Sequence, residues 1–279
     1  MTDQVQVQVV LITGANSGIG RAAVQALWES PTAAPYHILA TGRSLVRLHQ
    51  AADLIAQQCK PGHDATEIEC LELDISSDAS IASAVTHVRQ SCNRLDALVN
   101  NAGGSFDGAL ADGSLTEREA WSRTLDLGAV SQQLVTSAFA ELLVRSASPR
   151  LLFVTSGMAS LQEEHERRTT GEARQPVYEA GWPKPERLRS GNAYAYRVSK
   201  TALNMVALLW SRILEPDGVK CFLLSPGFLA TNLSGDQAAM RRAGAEDPIL
   251  GGEFIADVLE GKRDDDVGRI IRREGVQPW

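Results

Sequence analysis

The chain has 279 residues, 44% hydrophobic and 22% charged, with 27 Lys and Arg against 34 Asp and Glu for a formal net charge of −7. There is ample apolar material for a core, which excludes a disordered chain. The acidic balance, with no cluster of basic residues, argues against nucleic acid or an anionic membrane as a partner.

Short apolar runs alternate with longer amphipathic ones. Val5, Val7 and Val9 alternate with Gln and lead into Val10, Leu11 and Ile12, a first strand that ends in the turn TGANSGIG before a helix over 21–29. Strands follow at 36–41, 66–73, 95–100, 150–155 and 220–225, and a last one over 268–273. Between them the pattern predicts helices from Ser44 to Gln58, over 78–92, over a long stretch from Thr116 to Arg145, from about Asn192 to 213, and over 248–260. Strands and helices in this alternation make βαβ units and a parallel sheet, and the continuous apolar runs suit strands covered on both faces. The expected fold is a single doubly wound Rossmann-type α/β domain over 1–279, with a parallel sheet of about seven strands. Two stretches, 157–191 and 228–247, read as irregular loops over a site, because long irregular segments inside a compact domain are usually functional.

Gly14, Gly18 and Gly20 stand in a turn directly after a strand and directly before a helix. A helix N-terminus offers free N–H groups and partial positive charge to a diphosphate, and glycine removes the Cβ that would block its approach. Tyr196 and Lys200, four apart on a predicted helix, share one face; a nearby ammonium favours the phenolate, so Tyr196 is expected to have a lowered pKa and to serve as a proton donor or acceptor.

Taken together, TGANSGIG (13–20), NNAG (100–103) after the fourth strand, Ser156 at the end of the fifth, Tyr196–Lys200 in a YxxxK pattern, and Pro226-Gly227 with Thr231 in a PGxxxT pattern resemble the short-chain dehydrogenase/reductase family over essentially the whole chain. The resemblance implies hydride exchange between a nicotinamide cofactor and a carbonyl or alcohol. Tyr196 then donates the proton, Lys200 lowers its pKa and reaches the nicotinamide ribose, and Ser156 orients the substrate oxygen. Thr155 and Ser160 are rivals to Ser156 by position. The resemblance also assigns Gly14, Asn16, Ser17, Gly18, Ile19 and Gly20 to the diphosphate turn. Asn101, Ala102 and Gly103 go along the cofactor, and Pro226, Gly227 and Thr231 to its nicotinamide end. Asp74, with Ile75 beside it, goes to the adenine amino group, unless Asp74 only caps the next helix.

Relatives that use NAD often carry an Asp after the second strand. Here Gly42 stands at that position, followed by Arg43, whose charge-assisted bonds suit a 2′-phosphate, and by Ser44, which can add a hydroxyl and cap the next helix. The expected cofactor is NADP(H). One departure stands out: many members carry an asparagine on the long helix, where this chain has Gly128. Ser131 or Gln132, one turn on, or a water on the exposed backbone, is expected to compensate. The departure also keeps open a non-redox alternative on the same fold, a cyclase, dehydratase or isomerase. The intact Ser156, Tyr196 and Lys200 argue against a mere dinucleotide-sensing protein.

Tyr178, Trp182, Phe228 and Leu229 lie on or near the two loops and are candidates for substrate contact. His37, His49, His63 and His87 are expected on surfaces without partners, and His165 in a charged segment; no metal site is expected. Cys59, Cys70, Cys92 and Cys221 form no C-x-x-C pair and read as free thiols in a reducing compartment. The N-terminus lacks the features of a signal peptide, and no apolar run reaches the roughly 18 residues of a membrane span. The expectation is a cytoplasmic enzyme acting on a small molecule, assembled as a homodimer or homotetramer through the helices around 116–145 and 192–213.

Overall fold

The computed structural model describes residues 7–32, 34–170, 180–182, 193–234 and 236–279. Val5, Tyr178 and most of the 171–191 part of the insertion lie outside the described residues.

Eight strands form one sheet in the order β3-β2-β1-β4-β5-β6-β7-β8. They are β1 (Gln8–Ile12), β2 (Tyr36–Gly42), β3 (Glu67–Glu72), β4 (Ala97–Asn100), β5 (Arg150–Val154), β6 (Lys220–Leu224), β7 (Ile270–Arg272) and β8 (Gly275–Val276). The first seven pair in parallel and β8 returns antiparallel on β7. The expected seven parallel strands are therefore present, and an eighth, too short for a pattern of alternation, is added to them.

The helices are α1 (Gly18–Glu29), α2 (Leu45–Gln58), α3 (Asp78–Ser91), α4 (Asp107–Ala111), α5 (Glu117–Leu125), α6 (Ser131–Leu143), α7 (Leu161–Thr170), α8 (Tyr194–Leu214), α9 (Gln237–Arg242) and α10 (Ile249–Leu259). Successive residues of β1 feed opposite cores. Val9 and Leu11 pack with Val85 of α3, Phe139 of α6 and Leu203 of α8, while Val10 and Ile12 pack with Leu27 of α1, Ile55 of α2 and Phe254 of α10. Each such side chain contributes about 1.5–3 kcal/mol by burial, and the two-sided cover explains why the strands read as unbroken apolar runs.

Three sequence expectations change. The long helix over 116–145 is broken into α5, a π-helical turn over Asp126–Val130 and α6. The 157–191 stretch is not wholly irregular, since it opens with a 3-10 turn over Gly157–Ala159 and continues as α7. The 228–247 stretch holds α9 and a 3-10 turn over Asn232–Ser234, and Leu229 bridges Glu246 across its base.

Candidate active site

The carboxyl ends of the parallel strands open into one groove where the strand order reverses between β1 and β4, the place where open α/β sheets hold ligands. Thr13, at the end of β1, ties that switch point together. Its Oγ1 donates to the Val99 carbonyl (3.2 Å) and accepts from the N–H groups of Asn101 and Ala102 (both 2.9 Å). Asn101 closes the other side, donating from Nδ2 to the Thr13 carbonyl at 2.8 Å.

The glycine turn is built for a close approach. Gly14 and Gly18 have φ of +68° and +55°, where L side chains are strained. A Cβ on Gly20 would stand 2.3 Å from the Gly14 carbonyl oxygen. Ser17 begins α1 without a side-chain cap, so the first N–H groups of that 12-residue helix face the groove with no side chain to satisfy them. A dinucleotide diphosphate fits this cradle.

Of the residues expected to hold a cofactor, Gly14, Asn16, Ser17, Gly18, Ile19, Arg43, Asp74, Ile75, Asn101, Ala102, Gly103, Pro226, Gly227 and Thr231 all line the groove. Gly20 instead supports the turn from below, and Ser44 caps α2 by accepting from the Arg47 N–H at 3.4 Å. Asp74 does not cap α3; Ser77 does, while the Asp74 carboxylate accepts from the Ser76 N–H (3.0 Å) and hydroxyl (2.7 Å). Arg21 and Arg47, which the sequence reading missed, join Arg43 along the groove, and among the described residues none of the three has a carboxylate partner. Their signal was position: Arg21 directly follows the glycine turn, and Arg47 stands in the first turn after Arg43.

Ser156, Tyr196 and Lys200 converge on the same groove. Lys200, 5% exposed, donates from Nζ to the Val154 carbonyl at 2.8 Å and lies 5.9 Å from the Tyr196 ring centre. Burial lowers its pKa to about 8. The expected lowering for Tyr196 is corrected by the structure. Close packing around the phenol raises its pKa, and a hydrogen bond from Ser156 pulls it partly back. The rivals of Ser156 are engaged elsewhere: Thr155 donates to Asn204 Oδ1 (2.6 Å), and Ser160 donates to the Trp279 carbonyl (3.1 Å).

Gly128 lies buried in the π-helical turn against α8, where a Cβ would stand 2.5 Å from Ser199 Oγ. Ser199, next to Lys200 in sequence, thus fills the space an asparagine side chain would need. Ser131 turns to Asp126 (3.5 Å). Gln132 donates from Nε2 to the Ala102 carbonyl (2.9 Å), and its buried Oε1 has no partner among the described residues.

The model of the family described as short chain dehydrogenase matches residues 8–167, more than half of the chain. The chain belongs to the short-chain dehydrogenase/reductase family. It is 44% identical over 280 residues to the short-chain dehydrogenase/reductase eupG of a Phoma species and 41% identical over 273 residues to the short-chain dehydrogenase/reductase tropE of Talaromyces stipitatus, with 97% of each chain covered in both cases. In fold it is similar to an NADPH-bound carbonyl reductase from chicken fatty liver (TM-score 0.74, 24% identity, 98% of this chain and 100% of that one). It is also similar to an alcohol dehydrogenase of the archaeon Thermococcus sibiricus complexed with 5-hydroxy-NADP (TM-score 0.70, 22% identity, 96% of each). A short-chain dehydrogenase/reductase is an oxidoreductase that works with a nicotinamide cofactor.

The remaining candidates divide. Phe228 and Leu229 line the groove, Phe228 half-exposed and Leu229 buried, while Trp182 stands 77% exposed outside it. His37 and His87 are not without partners, because both contact the Glu69 carboxylate, His37 at 2.8 Å. The four cysteines are free thiols, and no helix among the described residues is long and apolar enough to cross a membrane.

Proposed function

We propose that the protein is an NADPH-dependent carbonyl reductase that converts a ketone to a secondary alcohol, or runs the reverse. The observation that carries this reading is the meeting of Ser156, Tyr196 and Lys200 beside the uncapped start of α1 in one groove. NADPH, when bound, supplies hydride to the carbonyl carbon. The Ser156 hydroxyl orients the carbonyl oxygen, and the Tyr196 phenol gives it the proton. Lys200, anchored on Val154, keeps an ammonium beside the phenol and has N–H groups left for a ribose hydroxyl. Arg43, Arg21 and Arg47 offer unpaired guanidinium groups to a 2′-phosphate. A side chain on Gly42, where an acidic residue would favour NAD, would crowd Asn16 Oδ1 at 3.2 Å.

The chain works in this reading as one cofactor-binding unit on a small-molecule substrate in the cytoplasm. Self-association through the helices is supported by an apolar stripe: Val198, Met205, Leu209 and Ile213 on α8, with Val130 and Leu134 beside it, are all exposed. Glu at both Met205 and Ile213 is expected to yield a monomer by sedimentation.

The experiment for the activity follows absorbance at the reduced-nicotinamide band with NADPH and NADH over a panel of ketones, diketones and quinones. NADPH oxidation that falls by about 10²–10⁴ in the Tyr196→Phe protein is expected. Conversion of a carbonyl compound with no NADPH consumed would instead establish the non-redox alternative.

A further inference from the structure

The hairpin of β7 and β8 and the three residues after it reach back into the active site. Gln277 is 2% exposed, and both ends of its amide are engaged. Its Nε2 donates to the main-chain carbonyl of Ser156 at 3.2 Å, and its Oε1 accepts from Arg272 Nε at 3.1 Å. The flipped amide would set two acceptors face to face at Ser156 and two donors at Arg272, so the partners select this orientation. The main-chain N–H of Gln277 donates to the Ile270 carbonyl at 2.8 Å, which fixes the backbone that carries this side chain to the sheet. Two residues on, the Trp279 carbonyl accepts from the Ser160 hydroxyl and from the Gln162 N–H (2.8 Å). The hairpin is itself pinned to both sides of the groove: Arg272 pairs with Glu163 on α7, and Arg273 with Glu246, whose main chain holds Phe228 and Ala230.

Ser156 needs such a brace. It stands two residues past the end of β5, and its hydroxyl accepts from the Met158 N–H at 3.1 Å, which leaves the hydroxyl proton for another acceptor. Its carbonyl accepts from the Ala159 N–H at 3.0 Å and from Gln277. The peptide between them runs into Gly157, which has no side chain to restrict rotation. Without Gln277, the Ser156 carbonyl keeps, among the described residues, the Ala159 N–H alone, inside a three-residue 3-10 turn.

We propose that Gln277 is a positioning residue that holds Ser156, through its main-chain carbonyl, in the orientation that meets the substrate oxygen. This rests on the carbonyl-reductase reading. A displacement of about 1 Å at a catalytic group costs about 10²-fold in rate, which sets the scale of the effect.

The test compares the full-length wild type with Gln277→Leu and Gln277→Glu. The Leu variant removes both amide functions. The Glu variant keeps an acceptor for Arg272 and sets an acceptor against the Ser156 carbonyl where the donor stood, so it serves if the Leu protein fails to fold. Two readouts are taken: steady-state turnover with binding of NADPH by fluorescence, and hydrogen exchange of the Met158 and Ala159 amides, which bond to Ser156. The expected result is a kcat lower by about 10- to 100-fold with NADPH affinity unchanged, together with faster exchange at those two amides. A kcat within twofold of wild type, or unchanged exchange, overturns the proposal. A wild type that consumes no NADPH on any carbonyl overturns the reductase reading instead, and the exchange readout still decides whether Gln277 holds Ser156.

Discussion

The carboxylate of Asp107 accepts hydrogen bonds from the main-chain N–H groups of Ala195 (3.1 Å) and Tyr196 (3.1 Å). Helix α8 starts behind Ala193, which has a left-handed φ of 48° and no side chain with which to cap the helix. Asp107 supplies that cap from a different element, the short α4, and is itself held by the Ser105 hydroxyl at 2.7 Å. The charge also meets the positive end of a 21-residue helix. The helix that carries Tyr196 and Lys200 is therefore anchored at its first turn by a residue lining the groove. Asp107→Ala is expected to lower stability by about 1 kcal/mol, the usual value of a cap, and to reduce kcat. Asp107→Asn, which keeps one acceptor, is expected to retain most of both. Thermal melts and turnover of the two variants check this, and equal behaviour of Ala and wild type would contradict it.

Restoring an asparagine at position 128 is expected to do harm. With Ser199 Oγ in the space of a Cβ, Gly128→Asn overpacks a buried helix contact and costs about 1–3 kcal/mol, with no gain in turnover. The double variant Gly128→Asn/Ser199→Gly is expected to recover part of the loss, a coupling that a double-mutant cycle by denaturant melts measures.

Lys200 makes stability depend on pH in the cofactor-free protein. Its pKa of about 8 in the folded state lies below the 10.5 of an exposed lysine. Between those values the unfolded chain binds more protons than the folded one, so stability rises with pH from about 8 towards 10.5. Against Lys200→Met, whose side chain does not titrate, the wild type is expected to gain about 2 kcal/mol from pH 7 to pH 10. Urea melts of both proteins at the two pH values read the difference, and a constant gap would contradict it.

Cofactor choice is expected to turn on the unpaired guanidinium groups. Arg43→Asp is expected to weaken NADPH binding by about 10- to 100-fold, the worth of one charge-assisted contact plus the new repulsion, and to leave NADH within a few-fold. Fluorescence titration with each dinucleotide measures both. Equal weakening of the two would assign Arg43 to general folding of the β2–α2 turn.

The parts of this enzyme that were legible in the sequence are those set by neighbours along the chain. The glycine turn is a matter of φ angles and missing Cβ atoms within seven residues. Tyr196 and Lys200 share a face because a helix repeats every 3.6 residues. Unbroken apolar strands announce a sheet covered on both sides. Each of these is local chemistry, and the strand and helix order followed from it with edges displaced by one to three residues at most places.

Tertiary structure alone decided how those parts are held and charged. The bonds from Asp107 to Tyr196 and from Gln277 to Ser156 span 89 and 121 residues. No spacing rule links such pairs, because their meeting depends on where whole elements pack. The same holds for Ser199 filling the place above Gly128, and for the π-helical turn that brings them together. The pKa of Tyr196 shows the limit most directly. Spacing placed a cation near the phenol and argued for a lowered value, but burial, which only the packed chain determines, acts in the opposite direction and is the larger effect here.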